Sequence, residues 1–238
     1  MRNSKTLTGM LAFVILFQYM CMRNSPIFEY ELPFLSGLTS ADSMSGNMLL
    51  TLYSIIPLPF LFMLFSGDMR DLTEGYGKLK IIRSYSKRNL VLCLLGKTAV
   101  VVTIITLFMG SVFTLFQANE WKNLEISLQG RGLAMYSLTI CAMILVQFIL
   151  ELYLEVQYAN LSVIIGMTVC IFISNVLGTK SYVVNLVLFP SLAFAQKNGV
   201  IQGDEVGVSF TGSVIWIILI NIFLGVFILK KFTKKDIM

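Results

Sequence analysis

The sequence predicts an all-α integral membrane protein of six transmembrane helices, and three observations carry the prediction. Of its 238 residues, 56% are hydrophobic and 13% charged, more apolar surface than one soluble core of this size can hide. Six runs, 7–22, 48–65, 98–116, 133–150, 161–177 and 214–229, contain no Asp, Glu, Lys or Arg. Each approaches the roughly 20 residues a helix needs to cross about 30 Å of hydrocarbon. Finally, Lys and Arg fall unevenly between the two sides that these runs define.

The first run follows Arg2 and Lys5 and so shares a basic start with secretory signals. No small-x-small cleavage site follows it, and Tyr19 and Met20 precede Cys21 where a lipoprotein signal needs small residues. It is read as a retained helix. Residues 23–47, with Pro26, Pro33, Glu29, Glu31 and Asp42, form an acidic external loop. The second run holds Pro57 and Pro59, each of which removes a helix donor, so a kink is expected that could line a translocation path.

Between the second and third runs, residues 66–97 break sharply in charge from their surroundings. A helix over 78–88 would place Ile81, Ile82 and Tyr85 on one side and Lys80, Arg83 and Lys87 opposite, lying flat beneath the membrane. Gly75 and Gly77 interrupt it upstream. Residues 84–88 offer hydroxyls and cations to a partner protein or to lipid phosphates. Glu151 and Glu155, four apart, are expected on one face at the cytoplasmic end of the fourth helix, as a second cytoplasmic contact. Gln147, Asn175 and Asn221 read as hydrogen-bond partners between helices. The apolar stretch 182–195 is broken by Asn185 and Pro190 and is too short to span, so a re-entrant or interfacial pair of short helices is expected before the sixth span.

This layout puts 13 of the 18 Lys and Arg residues on the side of the N-terminus, the 66–97 segment, the connection after the fourth helix and the C-terminus. The remaining five, Arg23, Lys122, Arg131, Lys180 and Lys197, lie opposite. Both termini are therefore expected in the cytoplasm, and the net charge of +5 reads as a topology signal and a match to anionic lipid, not nucleic acid.

Catalytic machinery is not apparent. The chain has no histidine, which removes Ser-His and Cys-His nucleophiles and His-ligated metal. Cys21, Cys93, Cys141 and Cys170 lie in or beside apolar runs without metal-ligand spacing. Gly96-Lys97-Thr98 lacks the upstream glycine of a phosphate loop, since position 91 is Val. No cofactor, metal or nucleotide site is expected on this chain, and no enzymatic activity.

The segment around Glu74, Gly75, Gly77, Leu79, Ile81, Ile82, Ser84, Ser86, Arg88 and Lys97 resembles the cytoplasmic coupling helix of permease subunits of type-2 ABC exporters. There an acidic residue, glycine, an apolar pair, a Ser-x-x-Arg-like turn and a lysine opening the third helix recur. The resemblance implies a coupling region over about 68–90, with Arg83, Tyr85, Lys87 and Arg88 among its docking residues. It implies that a separate ATPase dimer carries ATP and Mg²⁺, and that a second permease copy or a sister permease completes the assembly. The expected function is ATP-driven export of an amphiphilic peptide or antimicrobial compound across a bacterial plasma membrane. A different class stays open on the residues alone: a non-transporting immunity or sensor protein that binds a toxin or signalling partner.

Overall fold

The computed structural model describes residues 9, 12–13, 15–17, 20, 55–74, 77, 79, 86–116, 126–177, 181–194, 197–200 and 208–234. Among them all regular structure is helical. The elements are α1 (Pro57–Phe65), α2 (Asp68–Thr73), α3 (Lys87–Phe116), α4 (Ile126–Glu151), α5 (Val156–Leu177), α6 (Tyr182–Val187), a 3-10 helix (Phe189–Ala193) and α7 (Phe210–Lys234). Residues 9, 12, 13, 15–17 and 20, within the first expected span, are also helical, and Phe13 stacks on Phe60 of α1 with ring centroids 3.9 Å apart.

Four helices are long and apolar enough to cross a membrane: Lys87–Val112, Leu128–Glu151, Val156–Ser174 and Phe210–Lys234. They correspond to the third to sixth expected runs, but all begin earlier. α3 starts at Lys87, so Lys97 lies inside it and does not open it. Lys97 is exposed, and a lysine on a helix face keeps its ammonium in water by extending its four-carbon stem. One charge therefore ends an uncharged run without ending the helix.

α4 is the central helix. It packs against α3, α5, α7 and the 3-10 helix, and 56% of its span is buried against 17% for α7. Tyr136, Ile140, Ile144 and Phe148, spaced for one helix face, are fully buried. From α5 the inward stripe is Ala159, Val163, Met167 and Ile171, while Leu161, Ile165, Val169 and Phe172 stay exposed. Lipid tails are as apolar as leucine, so such faces associate through close packing and hydrogen bonds. Asn221 supplies one: its Nδ2 donates to the Leu138 carbonyl of α4 (3.1 Å) as well as to Ile217 (2.8 Å). That matches the reading of Asn221 as a link between helices; the side chain of Asn175 lies outside the described residues.

Contacts along the bundle fix the directions of its helices. Gly110 of α3 meets Leu133 near the start of α4, and Leu95 of α3 meets Gly225 near the end of α7. Thus Lys87 and Arg88, the ends of α4 and α7, and α2 share one end of the bundle. The guanidinium of Arg131 over the Phe210 ring, 5.6 Å from its centroid, marks the other.

The 182–195 stretch forms α6 and the 3-10 helix, separated at Leu188 (φ −84°, ψ 54°) with Pro190 in the first turn of the second. Ser174 donates to Asn185 Oδ1 (2.8 Å) and Trp216 Nε1 to the Leu186 carbonyl (2.8 Å), tying α6 to α5 and α7. The following turn closes on Asn198, whose Nδ2 donates to the Leu192 carbonyl (3.1 Å). Gly199 there has φ +77°, and a Cβ on it would collide with the Val208 carbonyl oxygen. Gly199→Ala is expected to destabilise the protein by about 1–3 kcal/mol, from backbone strain alone. Thermal unfolding in lipid nanodiscs checks this; an unchanged midpoint would contradict the close approach.

Candidate functional site

The chain leaves α1 through Ser66, an extended residue, and turns at Gly67, whose φ of +86° suits glycine. α2 then begins, with Asp68 and Asp71 in its first turn, and its free N–H groups need acceptors. No side chain of α2 caps them. The acceptor comes from far along the sequence: Gly67 N–H donates to Glu151 Oε1 (2.8 Å) and Met69 N–H to Glu151 Oε2 (3.2 Å). A carboxylate at a helix N-terminus is favoured by both hydrogen bonds and the helix dipole.

One turn before Glu151, Gln147 completes the arrangement. Its Nε2 donates to Glu151 Oε1 (3.2 Å) and to the Phe62 carbonyl of α1 (3.3 Å). Glu151 is 6% exposed, Gln147 and Met69 are fully buried, and Val156 packs beside Gly67. Two residues on one face of α4 therefore hold the end of α1 and the start of α2 together. Three N–H donors satisfy the carboxylate, so the site is built to hold backbone in place. No cluster of three or more His, Cys, Asp or Glu suited to a metal occurs among the described residues.

Residues 11–238 match the profile of a family described as protein of unknown function (DUF2705). The chain belongs to that family. It is also similar to "Uncharacterized protein YybK" of Bacillus subtilis (strain 168), at 27% identity over 223 residues, covering 87% of this chain and 86% of that protein. No solved structure matches. The DUF2705 match takes in the whole junction, from Phe62 to Glu151.

Of the other residues singled out in this DUF2705 chain, Glu74, Gly77, Lys87 and Arg88 are described and fall around the same end. Glu74 is exposed and accepts from Arg70 Nε at 2.6 Å, which holds the Arg70 guanidinium above its ordinary pKa. Gly77 is buried and helical, so it does not interrupt the helix as expected, and a Cβ on it would lie 2.5 Å from Leu72 Cα. Lys87 and Arg88 form the first turn of α3, Arg88 exposed and Lys87 half-buried. Gly75, Ile81, Ile82, Arg83, Ser84 and Tyr85 lie outside the described residues.

Two further expectations change. The helix expected over 78–88 is interrupted at Ser86, which is not helical. Ser86 precedes α3 and its carbonyl accepts from Leu90 N–H (3.2 Å), a position serine favours. Lys87 and Arg88 therefore belong to α3. Glu151 and Glu155 do not share a helix face, because α4 ends at Glu151 in a turn closed by Leu154 N–H on the Leu150 carbonyl (2.7 Å). Glu155 is exposed and its carbonyl accepts from Ala159 N–H at the start of α5. Pro57 and Pro59 stand in the first turn of α1, where a missing N–H costs little, and Ile56 before them keeps helical dihedrals (φ −53°, ψ −41°). Residues 48–54, which would form the other arm of a kink, lie outside the described residues.

Proposed function

We propose that the chain is the membrane permease subunit of an ATP-driven exporter of the type-2 ABC class. In this reading it has six spans, both termini in the cytoplasm of a bacterial cell, and a docking segment over 68–90 that engages a separate ATPase dimer. It works with a second permease and moves an amphiphilic peptide or antimicrobial compound. The observation that carries the reading is the Gln147–Glu151 fastening: the start of the charged segment is hydrogen-bonded to the most buried helix of the bundle. A solvated loop with no partner has no need of a buried carboxylate at its base. Lys87, Arg88, Lys230, Lys231 and Lys234 share that end, as cytoplasmic flanks do. The 182–195 pair, at the opposite end, is then an external re-entrant or interfacial element.

Co-expression with a candidate ABC ATPase subunit tests the proposal: a stable complex is expected, and an immunity or sensor protein would form none. Topology has its own test. Single cysteines at Gly130 and Gly203 should react with an impermeant thiol reagent from outside intact cells, and protection of both would contradict the orientation.

A further inference from the structure

We propose that Gln147 and Glu151 transmit displacement of the docking segment into the membrane core, with Glu151 as the positioning residue; this role rests on the exporter reading above. Glu151 holds two donors at the start of α2, Gly67 just before it and Met69 in its first turn, through its two oxygens. α2 cannot swing or rotate without breaking both charge-assisted bonds or carrying the end of α4 with it. Gln147 bonds the same carboxylate and the Phe62 carbonyl, so the end of α1, the start of α2 and the end of α4 move as one body.

α4 is suited to pass that movement on. Phe148, between Gln147 and Glu151 along α4, and Ile144 and Ile140 in the turns before them are all fully buried in a continuous core with α3, α5 and α7. A close-packed interior changes between discrete arrangements and does not absorb a shift locally. Gln147 Oε1 is buried and has no hydrogen-bond partner among the described residues. This leaves an acceptor free for a backbone N–H in a second arrangement. Gly67, with its positive φ, makes the turn that joins α1 to α2 within this body.

Hydrogen exchange on the full chain in lipid nanodiscs, wild type against Glu151→Gln, tests the role. Glutamine keeps the volume and one acceptor oxygen but sets an N–H₂ group against a backbone donor. In the chain alone, exchange at Gly67 and Met69 should rise about tenfold, the size of a lost helix cap, with the interior of α4 unchanged. With the ATPase bound, replacing ADP by ATP should alter exchange within α4 in the wild type and leave it unaltered in Glu151→Gln, although both assemble. An ATP-dependent change that survives in Glu151→Gln overturns the proposal, as does unaltered exchange at Gly67 and Met69. If the wild type forms no complex, the exporter reading fails and the transmitting role with it. The tenfold rise in the isolated chain would then still separate that failure from an absent fastening.

Discussion

Reversing three cations together, Arg83→Glu, Lys87→Glu and Arg88→Glu, should abolish the complex with the ATPase, weakening it by at least about 100-fold. Each reversal replaces an attraction with a repulsion across the docking surface, and charge juxtapositions at interfaces are worth several kcal/mol. The fold should tolerate the change. Lys87 and Arg88 occupy the first turn of α3, where the helix dipole favours acidic side chains, so two of the three substitutions relieve an unfavourable local interaction. Arg88 is exposed. Co-purification at low and physiological salt, with thermal unfolding of the variant alone, separates lost docking from lost folding. A triple variant that unfolds normally and still binds the ATPase would remove the docking role from this segment.

Glu151→Leu should have the largest effect on stability of any single change at the junction, about 2–4 kcal/mol. Leucine fits the volume but accepts nothing. The N–H groups of Gly67 and Met69 then lose their acceptor, and Gln147 Nε2 keeps only the Phe62 carbonyl. A donor left unsatisfied costs about 1–3 kcal/mol when buried and less where water reaches it, as it does beside Gly67. The loss should appear as a lower thermal midpoint and as earlier proteolysis within residues 66–74. Wild-type midpoint and protease resistance would mean that α2 is held by something other than the carboxylate.

How much of this could be read from sequence depends on how local the physics is. Apolar runs need only counting, and the third to sixth reappear as the four long helices. Their ends were not legible, because snorkelling lets Lys97 and Lys230 ride on helices that a rule against charge cuts short. Ser86 was visible as a residue but not as a helix start; the amphipathic pattern across 78–88 outweighed its capping preference. Asn221 was legible because an amide in an apolar run has few options other than a neighbouring helix. Glu151 was found, but with the wrong companion. Its spacing to Glu155 suggested a shared face, whereas its spacing to Gln147, also four residues, is the one that the helix realises. The partners of Gln147 and Glu151, the Phe62 carbonyl and the Gly67 and Met69 N–H groups, stand more than 80 positions away, a separation no local pattern bridges. Gly77 shows the same limit: as sequence it marks a helix break, while the structure has it helical and too close to Leu72 to carry a side chain.

The most direct test of the permease assignment is site-specific photo-crosslinking in living cells, with the photoreactive residue in place of Tyr85. The expected result is a covalent product with an ATPase carrying a phosphate-binding loop, identified by mass spectrometry and lost in the triple charge reversal. Crosslinks to lipid alone, or to a partner without nucleotide-binding machinery, would contradict it.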